Sequence, residues 1–301
     1  MLYAINNEKL NEIKEVPFKL ERNLQTLVEK NLDKLFSLKF LATEFALENF
    51  RFDSVAYSEE DNSFVIIEYK KVSNDSLVDQ GYAYLNTILK NKAEIVLLFN
   101  KIKNTNKQKE DFDWESLRIY FVSPKFTEYQ KSATGFLKMP FKLFEVAKYE
   151  NGLFSINEIN NSKIKDETNT VRINESDKVE SEIIVYTEED HLKKMNETLK
   201  EIYANLKEKV VNAFDIDIEA KKHYIAFKHN NKSVFAIEPF SGTRVWKVFL
   251  NIELGKIDDP YKKAAEILVG HHGGNQKYVF ELKKEDDIDY LMLLIKQAYK
   301  E

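Results

Sequence analysis

The chain has 301 residues, of which 43% are hydrophobic and 13% aromatic, enough for two domains with real cores. That composition excludes a wholly disordered chain. The absence of cysteine excludes a disulfide scaffold, a thiolate zinc site and a cysteine nucleophile. The N-terminal MLYAINNEKLNEIKEV lacks the basic start and apolar core of a signal peptide. Apolar runs such as Val96–Phe99 are far short of a membrane span. The expectation is a soluble, cytoplasmic, bacterial protein with no membrane partner. Basic residues are nearly all lysine, a bias that reads as AT-rich coding.

The net charge of −5 is unevenly spread. Residues 1–160 carry 22 basic and 24 acidic side chains, residues 161–190 carry 4 and 9, and residues 191–301 carry 19 and 17. The acidity is therefore concentrated in a polar middle segment, and the overall sign says little against an anionic partner. Residues 161–187 read as an acidic linker between a domain at 1–160 and another at 188–301.

In chain order, residues 20–36 place Leu24, Leu27, Val28, Leu32, Leu35 and Phe36 at helical spacing. Strands are expected around Phe45–Asn49 and Phe52–Tyr57. SEEDN then makes a turn, and FVIIEYK (64–70) is a β-branched strand. Helical spacing returns over Ser76–Leu89. EIVLLFN (94–100) reads as a strand buried on both faces. A strand at Leu117–Pro124, a helix near Pro124–Gly135 and a strand at Phe141–Glu150 complete an α/β domain, a mixed sheet with helices on its faces.

The C-terminal domain reads as α+β. It begins with a long helix, Glu189–Val211, followed by strands at Ile216–Lys228, Ser233–Pro239 and Thr243–Leu250. Asp258-Asp259-Pro260 reads as a helix start. HHGGN is expected as a loop, Tyr278–Lys283 as a strand and Asp286–Tyr299 as a closing helix.

One constellation carries chemistry. Asp53 sits near the start of a strand, and fifteen residues later Glu68 and Lys70 end the next one. Residues two apart on a strand share a face, and an adjacent antiparallel strand brings Asp53 beside them. Two carboxylates aimed at one point make an oxygen site for Mg²⁺ or Mn²⁺. Such an ion acidifies water and neutralises charge on a phosphate, and a lysine orients that water or meets the developing charge. Glu-x-Lys alone is weak in this chain, since it recurs at Glu12/Lys14, Glu219/Lys221 and Glu281/Lys283. Support comes from the preceding helix with Glu21 and from the following helix, where Gln80 and Tyr84 lie four apart on one face.

On these residues the first domain resembles the PD-(D/E)xK nuclease superfamily, with restriction-endonuclease-like αβββαβ topology. It is most similar to the branch of archaeal NucS-like endonucleases. The match runs over roughly residues 18–150 and rests on Glu21 in KLERNLQTLVEKNL, Asp53 in FRFDSVAYS, Glu68 and Lys70 in FVIIEYKK, and Gln80 and Tyr84 in DQGYAYL. The family's proline before the aspartate is replaced by Phe52. The resemblance implies that Asp53 and Glu68 bind the metal and Lys70 assists catalysis. It also implies that Glu21 completes the site, with Gln80 and Tyr84 supporting it. The second domain resembles an uncharacterised family appended to such nucleases.

Plainer readings stand beside these. Asp53, Glu68 and Lys70 also read as an exposed ion-paired strand pair, and Glu21 as an acid complementing a helix dipole. Lys71, Lys101, Lys103, Lys107 and Lys109 read as phosphate contacts or as a solvated charge run, the last four in a loop. His271 and His272 lack a third ligand at convincing spacing. Trp246, with Tyr224 and Phe227, reads better as packed core than as a base-stacking platform. The expected function is metal-dependent hydrolysis of DNA in repair or defence. The C-terminal domain would supply substrate binding, homodimerisation or partner contact. The rival is a catalytically inactive module that binds nucleic acid or a protein.

Overall fold

The computed structural model describes residues 1–70, 77–136, 139–159, 182–193, 195–240, 245–271 and 276–300. Two compact units emerge. One comprises Met1–Lys34, Leu38–Ser58 and Ser63–Ile184, the other Leu35–Ser37, Glu59–Asn62 and Val185–Glu301.

The first unit opens with an antiparallel hairpin, β1 (Leu2–Asn6) and β2 (Lys9–Ile13). Asn7 and Glu8 take the positive φ values, 49° and 64°, that a two-residue hairpin turn demands. Nearly every residue of the hairpin is exposed, so no apolar alternation marks it in the sequence.

The helix expected at 20–36 forms as α1 (Glu21–Glu29) and α2 (Leu32–Phe36), and Leu24, Val28, Leu32 and Phe36 are all buried. β3 (Leu38–Leu47), β4 (Phe50–Ser58) and β5 (Ser63–Tyr69) follow as an antiparallel meander. The SEEDN turn falls where expected. Next come α3 (Leu77–Lys90) and α4 (Lys92–Lys103), then β6 (Arg118–Ser123), α5 (Glu128–Phe136), β7 (Phe141–Lys148) and β8 (Phe154–Glu158). The six strands run in the order β3-β4-β5-β6-β7-β8. The β5–β6 and β6–β7 pairs are parallel and the rest antiparallel, so the sheet is mixed as expected.

One expectation fails here. EIVLLFN is the body of helix α4, not a buried strand. Ile95, Val96 and Phe99 are buried, while Leu97 is 64% exposed. That is helical periodicity hidden inside an apolar run too short to be told from a strand. Asn104 closes the helix in the left-handed region, at φ 52°. α3 and α4 together form the crossover between the parallel strands β5 and β6. Phe52, Val55, Tyr57, Phe64 and Ile66 from the meander pack with Leu85, Ile88, Ile95 and Phe99 from these helices.

The second unit is β-rich. α6 (Glu188–Leu192) and α7 (Glu197–Ala213) replace the single long helix expected. Asn196 interrupts it by capping α7, its side chain accepting from the Leu199 amide at 2.9 Å. The expected first strand splits into β9 (Asp217–Ala220) and β10 (Ile225–His229), followed by β11 (Lys232–Phe240) and β12 (Val245–Leu250). β13 (Ala264–His271) and β14 (Gln276–Leu282) complete an antiparallel sheet of order β13-β14-β12-β11-β10-β9. α8 (Ile288–Lys300) ends the chain's described structure and packs with α7 on the sheet's apolar side chains.

No helix begins at Asp258-Asp259-Pro260. Asp259 instead closes a turn into β13, its Oδ2 accepting from the Ala264 amide at 2.7 Å and its carbonyl from the Lys262 amide at 3.0 Å. An acid ahead of a proline serves a turn as well as a helix start. Most of the expected linker at 161–187 lies outside the described residues. Among the described residues, no helix is long and apolar enough to cross a membrane.

Candidate metal site

The β4–β5 ladder ends at Ser54↔Ile67, and Asp53, the next residue of β4, lies close enough to Glu68 to feel its charge. Glu68 and Lys70 share a face, as the strand period requires, and Lys70 Nζ donates to Glu68 Oε1 at 2.8 Å. Asp53 Oδ2 accepts from the Tyr69 amide at 2.9 Å. From α3, Gln80 Nε2 donates to the same Glu68 Oε1 at 2.8 Å and reaches the Tyr84 hydroxyl at 2.7 Å. Tyr84 in turn packs edge-on against Phe52, with ring centroids 4.8 Å apart. Four of the six residues singled out from sequence, Glu68, Lys70, Gln80 and Tyr84, are thus tied together by direct bonds, and Asp53 joins them through the Tyr69 amide. Glu21 stands in the first turn of α1 and is exposed, and its charge is among those felt by Asp53.

The electrostatics are those of a site short of positive charge. Burial, then the nearby Glu68 carboxylate, lift Asp53 from its ordinary 3.8 to about 7, against the opposing pull of the Tyr69 amide and Lys70. Glu68 is 4% exposed. Its Oε1 has two donors, while its Oε2 is buried with no hydrogen-bond partner among the described residues. Burying a carboxylate oxygen with nothing bound to it is costly. The Tyr84 hydroxyl is pushed up by burial and the Glu68 charge, so it stays protonated.

The recurrent Glu-x-Lys pattern provides an internal control. Glu281 and Lys283 on β14 also pair, at 2.6 Å, but their side chains are 49% and 55% exposed. The corresponding values for Glu68 and Lys70 are 5% and 22%. The first is an ordinary surface ion pair. The second is held out of water, which rules out the exposed-pair reading of Glu68.

Mg²⁺ binds through one or two carboxylates and keeps waters elsewhere, so Asp53 and Glu68 suffice as protein ligands. Among the described residues no set of three or more His, Cys, Asp or Glu side chains is gathered for a metal. Asp53 and Glu68 are therefore the two carboxylates of the site that could hold such an ion.

Other candidates fare differently. Lys71 lies outside the described residues. Lys101 and Lys103 close helix α4 rather than sitting in a loop, because that helix runs further than its apolar residues suggested. Lys107 lies over the Phe112 ring at 5.6 Å, and Lys109 faces Glu110 at 3.8 Å. His271 ends β13, and His272 is outside the described residues. Trp246 is fully buried, its indole donating to the Leu199 carbonyl at 2.8 Å, which makes it core.

Sequence reasoning missed a polar layer behind the site. Gln25 on α1 is 6% exposed and Ser54 is fully buried. Gln25 Nε2 donates to the Asp53 carbonyl at 2.9 Å, and Ser54 Oγ donates to Glu29 Oε1 at 2.6 Å. The available signal was the spacing Glu21, Gln25, Glu29, which lines polar groups along one side of an otherwise amphipathic helix.

Comparisons with known proteins place the chain as follows. Residues 188–301 match the family described as Domain of unknown function (DUF5655). Over its whole length the chain is 35% identical, across 305 aligned positions, to a protein of Haemophilus influenzae described as "Uncharacterized protein", and the match covers 99% of that protein. The chain belongs to the same family as this protein. No solved structure matches it.

Proposed function

We propose that the first unit is a metal-dependent nuclease of PD-(D/E)xK type that hydrolyses DNA phosphodiester bonds. The observation that carries this reading is Glu68 Oε2, a buried carboxylate oxygen without a hydrogen-bond partner among the described residues, on the strand next to an aspartate whose own ionisation is suppressed. Asp53 and Glu68 would hold Mg²⁺ or Mn²⁺. That ion supplies charge neutralisation at a phosphate and a more acidic water. Lys70, anchored by Glu68 Oε1, presents a fixed cation for negative charge developing on the phosphate. Gln80 restrains the Glu68 carboxylate from the other side, and the protonated Tyr84 fixes Gln80. Glu21, at the start of α1, adds negative charge to the cation's surroundings.

A phosphate backbone is read without sequence preference by lysines such as Lys101, Lys103, Lys107 and Lys109. We assign the second unit to substrate binding or self-association.

The test is a cleavage assay on single-stranded, duplex, flapped and mismatched DNA, and on RNA, with Mg²⁺ or Mn²⁺ and an EDTA control. The proposal expects metal-dependent cutting of DNA that Asp53→Ala abolishes in a folded protein. Cutting that survives EDTA or Asp53→Ala removes this site from the mechanism. No cutting of any substrate turns the reading toward a binding module on the same fold.

A further inference from the structure

The β3–β4 ladder keeps one register across Asp53 but loses a pair there, its register shift lying between Phe40 and Ala42. The β3–β4 ladder passes from Thr43↔Ser54 to Phe45↔Phe52, skipping Glu44 and Asp53 between them. Glu44 takes a left-handed backbone, φ 51°, which a non-glycine residue adopts only when its surroundings impose it. Phe52 and Val55, three residues apart, both pack into the same core, so the period-2 alternation is broken at Asp53–Ser54. A regular ladder would hold this peptide from β3. Here α1 holds it instead. Gln25 Nε2 donates to the Asp53 carbonyl at 2.9 Å and lies 3.1 Å from both Glu29 Oε1 and Thr43 Oγ1. Glu29 Oε1 also accepts from Ser54 Oγ at 2.6 Å, and Ser54 Oγ lies 3.3 Å from the Tyr69 hydroxyl. Tyr69 separates Glu68 from Lys70, and its amide grips Asp53 Oδ2 at 2.9 Å.

We infer that the buried Gln25 and the half-buried Glu29 form a brace that replaces the missing Glu44–Asp53 pair and sets the position of Asp53 as a metal ligand. They are positioning residues, since Gln25 acts on the Asp53 backbone carbonyl and Glu29 on Gln25 and Ser54. The inference rests on the proposed metal site. The missing pair frees Asp53 to turn its carboxylate toward Glu68, and the brace makes the resulting conformation single. Outer-layer partners of metal ligands commonly carry 10- to 100-fold in metal affinity, roughly the scale expected here.

The test measures Mn²⁺ binding to the full-length protein by calorimetry, together with thermal melting, for the wild type and for Gln25→Met, which keeps the side chain's length and removes its donors. The expected result is a folded variant whose Mn²⁺ affinity falls about tenfold or more. If the variant also cleaves DNA, excess Mn²⁺ should restore most of its turnover, which a general loss of structure would not allow. A folded Gln25→Met with wild-type Mn²⁺ affinity overturns the inference. If Gln25→Met does not fold, Ser54→Ala decides by the same readouts, because it cuts Glu29 from β4 and leaves Gln25 intact. A tenfold loss there supports the brace, and no change overturns it. A wild type that binds no Mn²⁺ overturns the metal reading itself, and the brace with it.

Discussion

Gln80 and Lys70 converge on one oxygen of Glu68, each at 2.8 Å, and the other oxygen is buried with no hydrogen-bond partner among the described residues. A carboxylate needed only to balance a lysine has no reason to hide its second oxygen from water. The asymmetry makes sense when that oxygen is kept for a ligand, and it leads to several expectations.

Removing the two partners separately should have unequal effects. Lys70→Met strands the Glu68 charge in the interior and should cost about 3–5 kcal/mol of stability. Glu68→Gln keeps a hydrogen-bonding side chain of the same shape and should cost much less. The double variant should recover most of the stability lost by Lys70→Met alone. Urea unfolding of the three variants checks this. Equal losses for both single variants would mean that the pair is solvated.

Asp53 predicts a pH dependence with a definite sign. Its folded-state value of about 7 lies above the ordinary 3.8, so the folded chain holds a proton that the unfolded chain has lost. Stability of the metal-free protein should therefore fall as pH rises from about 4 to about 7, then level off. Asp53→Asn should remove that part of the slope. Mn²⁺ should bind more tightly as pH rises through the same window, because it displaces the proton. Thermal melts in EDTA and calorimetry at several pH values measure both. An Asp53→Asn variant with the wild-type pH slope would contradict the assignment.

Gly81 lets α3 approach β7. A Cβ there would sit 2.7 Å from the Phe141 ring, itself buried. Gly81→Ala gains about 1 kcal/mol of helix propensity but pays about 1–3 kcal/mol for the clash, so it should destabilise on balance. It should also lift neighbouring Gln80 from Glu68 and lower cleavage. Phe141→Leu in the same chain should relieve both defects. A Gly81→Ala variant more stable than the wild type would show that α3 moves freely.

In the second unit, Trp246→Phe should lower stability by about 1–2 kcal/mol, since it removes a buried donor and some volume. It should leave binding to single-stranded DNA unchanged, because the ring is wholly buried. Fluorescence-anisotropy titration checks the second point, and weakened binding would revive the stacking reading.

The architecture is largely legible in the sequence: the mixed sheet with its helices and the separate C-terminal domain both form. The bond between Glu68 and Lys70 is legible because a strand has a period of two, which puts both side chains on one face. Gln80 and Tyr84 were readable because helices repeat every three to four residues. Helix α4 was misread because a short apolar run fits either period, and only the exposure of Leu97 reveals which one holds. The β1–β2 hairpin left no mark because it buries almost nothing. β8, which pairs with β7 at the sheet's edge, was also missed, since its residues are only partly buried. The Glu21, Gln25, Glu29 spacing marks Gln25 as one of a polar row, but its partner, the Asp53 backbone carbonyl, is something no side-chain pattern records.

The most direct test of the central claim is a calorimetric titration of the metal-free full-length protein with Mn²⁺ near pH 8, beside Glu68→Gln. Neither nucleic acid nor turnover is required. The account predicts saturable binding by the wild type, with binding lost or greatly weakened in a folded Glu68→Gln. Equal binding by both proteins, or none by either, would contradict it.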